Sequence, residues 1–93
     1  MTIEHEEEKE KGAFFVEENS DRVAELLYFS SGPDEITVYH TEVDEKLRDQ
    51  HVGDRLVAAV VKFARENGRK IVPTCSFAKK VIDRTPEFQD VLA

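Results

Sequence analysis

His40-Thr41-Glu42-Val43, then Arg48-Asp49-Gln50-His51-Val52-Gly53, then an amphipathic run, then Ile71-Val72-Pro73-Thr74-Cys75: in this order the segments read as strand, loop, helix and strand. From Val52 the apolar residues Val52, Leu56, Ala59, Val60, Phe63 and Ala64 recur at helical spacing, and Arg55, Lys62, Arg65 and Glu66 fall on the wet side. Asn67-Gly68 stops that helix, because glycine suits the left-handed position after a last turn. A strand, a helix and a strand in one sheet imply a right-handed crossover and parallel pairing. Ligands of open α/β sheets bind outside the carboxyl ends of parallel strands. His40, Glu42 and Cys75 are therefore gathered at one mouth, beside a helix N-terminus that can hold an anion. Pro73 cannot donate to a ladder, so the last strand belongs at a sheet edge or end.

Upstream, Phe14, Phe15 and Val16 mark a strand, and Glu18-Asn19-Ser20-Asp21 marks a turn. Val23 to Ser30 resumes an apolar run before a second turn at Ser31-Gly32-Pro33-Asp34. Ile36 to Val43 alternates, which puts Ile36, Val38, His40 and Glu42 on one face and Thr37, Tyr39, Thr41 and Val43 on the other. Three strands joined by short turns form an antiparallel meander. Downstream, a short helix is expected around Phe77 to Arg84, then a turn of helix opened by Pro86. The fold class is α/β (α+β): a twisted, mainly antiparallel sheet with one parallel βαβ crossover and short C-terminal helices. Residues 1–11 are mostly charged and read as a tail or an edge strand, with one domain over residues 12–93.

The 93 residues carry 20 acidic and 13 basic side chains, a net charge of −7. That balance opposes binding to nucleic acid or to an anionic membrane, both of which need a basic face. An anionic ligand must then be held locally, by helix-end amides and a few Arg or His. A single Cys excludes an intramolecular disulfide framework and fits a reducing cytoplasm. No apolar run approaches the roughly 20 residues that span a bilayer, and the acidic N-terminus is unlike a signal peptide. The expectation is a cytoplasmic domain with no metal ligand set.

The loop before the helix has two readings. Amides around His51 to Arg55 can cradle a diphosphate, or Gly53 merely lets the helix pack closely. Asp54 weighs against the anion, since its carboxylate competes for the same helix dipole. Taken with two further motifs, however, the loop resembles the acetyl-CoA loop of the Gcn5-related N-acetyltransferases, and in particular their very small single-domain members. The resemblance rests on His40-Thr41-Glu42-Val43, on Gln50 to Gly53, and on Pro73-Thr74-Cys75-Ser76-Phe77 followed by Pro86-Glu87-Phe88-Gln89-Asp90-Val91-Leu92. One departure stands out: His51 occupies the place of the first loop glycine.

The resemblance implies acetyl-CoA as cofactor, with Thr41, Val43, Arg48, Gln50, His51, Val52, Gly53, Asp54 and Arg55 as its binding residues. The diphosphate would lie on the His51 to Arg55 amides, and the pantetheine arm would pair with strand backbone near Thr41 to Val43. The catalytic candidates are His40, Glu42 and Cys75. Imidazole ordinarily titrates near neutrality and makes His40 the better base, with Glu42 the other. The tyrosine that the superfamily often uses as an acid has no counterpart, since no Tyr follows Tyr39, and Phe77 stands where one would be sought. Cys75 opens a short helix whose dipole can lower a thiol pKa. It can serve as acid or acyl acceptor, or be a small hydrophobe packed under Phe77. Lys79 and Lys80 either reach the ribose phosphate or form a solvated helix face. The leading function is an N-acetyltransferase acting on an unidentified amine, with a protein or peptide lysine suited to an open cleft. The alternative is a non-catalytic CoA-binding or protein-interaction module on the same fold.

Overall fold

The computed structural model describes all 93 residues. Strands β1 (Glu4–Glu8), β2 (Lys11–Glu18), β3 (Asp21–Gly32) and β4 (Glu35–Val43) form the meander. A 3-10 helix at Glu45–Gln50 leads into α1 (Val52–Glu66), followed by β5 (Lys70–Pro73), α2 (Ser76–Asp83) and a second 3-10 helix at Pro86–Val91. The sheet order is β1-β2-β3-β4-β5, antiparallel up to β4 and parallel between β4 and β5. The expected crossover is present. Gly68 takes a φ of 65° as the stop signal requires. β5 has β4 on one side, and on the other a single parallel bridge joins Ile71 to Leu92, which the sequence reading had not anticipated.

Helix α1 lies on one face of the sheet and touches β2 to β5. Leu26, Tyr28, Ile36 and Val38 of the sheet meet Leu56, Val57, Val60 and Val61 of the helix, all essentially fully buried. The expected stripe shifts slightly, because α2 and the second 3-10 helix pack beside α1. Val57 and Val61 join the core, while Ala59 and Phe63 stay half-buried. Of the two readings of the N-terminus, the charged segment forms an edge strand. Although every β1 residue is exposed, His5 ties the strand down. Its ring stacks on Phe14 at 4.1 Å and its Nε2 lies 2.6 Å from the Tyr28 hydroxyl. Tyr28 runs beneath Gly12, where a Cβ would collide with its ring.

One irregularity decides where the candidate side chains point. Tyr28 pairs with Val38 but Leu27 pairs with His40, so Tyr39 is an extra, bulged residue in β4. Directly opposed residues of an antiparallel pair share a face. Thr41 opposite Leu26, and Val43 opposite Ala24, therefore rejoin Ile36 and Val38 on the α1 side. His40 opposite Leu27, and Glu42 opposite Glu25, turn to the uncovered side of the sheet. The simple alternation expected from the sequence is thus corrected: Ile36 and Val38 do not share a face with His40 and Glu42.

Candidate functional site

β4 and β5 pair only from Glu35–Lys70 to Val38–Pro73. The amides of Thr74 and Cys75 both donate to the Val38 carbonyl, at 3.0 and 3.2 Å, and the chain then turns into α2. Tyr39 to Val43 consequently have no strand partner on the β5 side. The strands splay, and a cleft of about 730 Å³ opens there. Thr41, Glu42 and Val43 form one wall, Arg48 and His51 the loop side, and Gly53, Asp54, Phe77 and Arg84 the helix side.

The loop is built locally. Asp44 caps the first 3-10 helix, accepting from the Lys46 amide at 3.1 Å. His51 ends it with φ 55° and ψ 32°, a left-handed conformation, and α1 starts at the next residue. His51 thus adopts the backbone that its glycine counterpart would take freely, at the strain that a side chain adds there. Its ring is 81% exposed, with Nδ1 3.5 Å from Asp54 Oδ2. Gly53 has a separate reason to lack a side chain: a Cβ there would lie 2.6 Å from Phe77 Cζ. The α1 amide end is left open toward the cleft, because no side chain caps it.

Of the residues that the sequence proposes for the cofactor, Thr41, Val43, Arg48, His51, Gly53 and Asp54 line the cleft. Val52 instead points into the core, fully buried, and Gln50 and Arg55 are exposed outside the lining. Arg84 is a lining residue that sequence reasoning missed. It closes a helix thirty residues beyond Asp54, so no local motif marks it. Lys79 pairs with Asp83 at 2.9 Å on the solvated face of α2.

The structure divides the catalytic candidates. Cys75 is half-buried behind Thr41, its Sγ 3.4 Å from the Thr41 hydroxyl. Burial pushes the Cys75 thiol up, but the Thr41 hydroxyl and the backbone amides of Ala78, Phe77 and Thr41 outweigh it, and the net shift is down. His40 and Glu42 sit across the sheet. His40 Nε2 lies 3.5 Å from Glu25 Oε2, and ligand atoms of Glu25, His40 and Glu42 all fall within 4.8 Å of one another. Glu42 borders both the cleft and a smaller recess of about 430 Å³ on the uncovered side. β4 therefore separates a thiol on one side from an imidazole and two carboxylates on the other.

The profile of the GCN5-related N-acetyl-transferase family matches residues 13–91. The NMR solution structure of a GCN5-like protein from Staphylococcus aureus is 38% identical, covers 97% of this chain and 87% of its own, and superposes with a TM-score of 0.73. Two more distant structures share the fold. One is a streptothricin-acetyltransferase-like protein from Bacillus anthracis in complex with acetyl coenzyme A, at 18% identity and TM-score 0.62 over 80% of this chain and 48% of that one. The other is Tetrahymena GCN5, at 11% identity and TM-score 0.66 over 83% of this chain and 51% of that one. This chain spans about half the length of these two larger proteins. No curated protein sequence matches it. With its profile, its fold and its splayed β4–β5 cleft in agreement, the chain belongs to the GCN5-related N-acetyltransferase family.

Proposed function

We propose that this protein binds acetyl-CoA in the β4–β5 cleft and transfers the acetyl group to a primary amine that approaches from the uncovered side of the sheet. The observation that carries the reading is that Tyr39 to Val43, paired with β3 on one side, have no strand partner on the β5 side, beside an open α1 N-terminus. The fit to this cofactor is chemical: a peptide-like arm can complete the hydrogen bonding of a splayed strand, and helix-end amides suit a diphosphate. Bound there, acetyl-CoA supplies an acyl group activated as a thioester.

The chain's own residues then divide the work. Strand N–H groups of β4 that point to its open β5 side are held in place by the pairing with β3 and can face charge that develops on a carbonyl oxygen. Thr41 and the first amides of α2 make the Cys75 thiol a stronger acid than an ordinary one. Such a thiol is suited to give the proton on Sγ to a departing thiolate. It takes the place of the missing tyrosine. On the opposite side, His40 or Glu42 accepts the proton of the incoming ammonium, with Glu25 holding the His40 ring at Nε2.

The test is release of free thiol from acetyl-CoA in the presence of a lysine-rich peptide, together with binding of CoA and acetyl-CoA. The parent protein should release thiol, and its Thr41 and Cys75 amide resonances should respond differently to CoA and to acetyl-CoA. His40→Gln with Glu42→Gln should slow release by about 10²-fold or more without weakening acetyl-CoA binding, since losing the Glu42 charge from the cleft wall does not oppose an anionic ligand. Identical responses to both ligands, with no thiol released, would return the protein to a CoA-binding module without chemistry. A hydroxylamine-labile acetyl group accumulating on Cys75 would replace the acid role with a covalent relay.

A further inference from the structure

Asp54 lies in the first turn of α1, where a carboxylate opposes any anion that the helix end attracts. The structure shows it masked. Arg84 Nη2 lies 2.7 Å from Asp54 Oδ1, and His51 Nδ1 approaches the other oxygen at 3.5 Å. Arg84 closes α2 and reaches this point because Phe77, at the start of α2, rests on Gly53. A guanidinium carries five N–H donors and one contact to Asp54 uses a fraction of them. The Arg84 side chain is 60% exposed and lines the cleft, so the remaining donors are available there.

We propose that Arg84 determines specificity for the phosphorylated carrier: it neutralises Asp54 and presents its free N–H groups to the cofactor diphosphate at the start of α1. This rests on the acetyl-CoA reading above. Charge in the lining decides the point. Arg48 and Arg84 balance Glu42 and Asp54, so the wall is neutral with His51 uncharged, whereas without Arg84 it carries one net negative charge. A diphosphate would then meet repulsion locally as well as from the chain's net charge of −7. With Arg84 in place it meets a fork whose geometry suits phosphate oxygens.

The experiment titrates the full chain and its Arg84→Gln and Arg84→Lys variants with three probes: acetyl-CoA, acetyl-dephospho-CoA, which lacks only the 3′-phosphate, and S-acetylpantetheine, which has no phosphate. Amide spectra of the variants, unchanged outside the Asp54 and Arg84 surroundings, check that the exposed substitution leaves the fold intact. Arg84→Gln should weaken acetyl-CoA and acetyl-dephospho-CoA equally, by about ten-fold or more, and leave S-acetylpantetheine unchanged. Arg84→Lys, which keeps charge but not the fork, should fall between. An equal loss for S-acetylpantetheine would make the effect structural and overturn the proposal. So would a loss that vanishes with acetyl-dephospho-CoA, since the 3′-phosphate would then be the partner, or no loss at all. A parent protein that binds none of the probes would overturn the function itself, an outcome distinct from a binding parent with a silent Arg84 variant.

Discussion

At Cys75, burial and hydrogen bonding act in opposite directions on one thiol, and the hydrogen bonds win. The thiolate is favoured in the folded protein relative to the unfolded chain. The stability this contributes is present above the unfolded thiol's pKa and is lost as pH falls through the lower, folded one. Alkylation of Cys75 should therefore show a pH midpoint below that of the urea-unfolded chain, and Thr41→Val should move the midpoint up; a profile that matches the unfolded chain would show that the fold leaves the thiol's acidity unchanged. His51 offers a second test at this scale. With φ at 55°, replacement by glycine removes left-handed strain at some cost in unfolded-state entropy. His51→Gly should leave stability unchanged or raise it by about 0.5–1 kcal/mol, read as a urea midpoint. A loss above about 1 kcal/mol would mean that the ring contributes contacts that outweigh the backbone strain. Gly12 behaves oppositely, because the Tyr28 ring beneath it is buried and cannot yield. Gly12→Ala should cost about 1–3 kcal/mol by overpacking.

Among the elements, β1 has the weakest hold, and its anchor titrates. Burial lowers the His5 pKa and the charge of Glu7 offsets only part of that. A histidine lowered in the fold supports the folded state above its unfolded pKa and loses that support as pH falls through the folded value. Amide exchange in β1 should accelerate on acidification through that window while α1 stays protected, and His5→Phe should abolish the pH dependence. Uniform exchange across both elements would contradict the local role of His5. The sequence showed the βαβ unit clearly, because α1 is long and periodic and Gly68 and Pro73 punctuate it. It did not show the bulge at Tyr39. A strand of alternating character looks the same with or without one extra residue, and only the pairing to Leu27 and Tyr28 reveals the change of face. That single residue moved His40 and Glu42 away from Cys75. Arg84 was equally hidden, since its meeting with Asp54 depends on how α2 packs on α1.

Across the whole molecule, a net charge of −7 repels a polyanion at long range, so the proposed cofactor would have to be held at contact by a few cations. Added salt screens the long-range term first, so the association rate with acetyl-CoA should rise with ionic strength; a steep fall would mean that a positive field steers the ligand. The sheet is covered by helices on one side and open on the other, and β4 forms the boundary. The proposed place of acetyl-CoA is along that boundary, at the splay of β4 from β5. Amide shift mapping during a titration with acetyl-CoA tests it most directly. The predicted perturbations centre on Thr41 to Val43, His51 to Arg55, Cys75 to Phe77 and Arg84. Perturbations confined to β1 and β2, or none at millimolar acetyl-CoA, would contradict it.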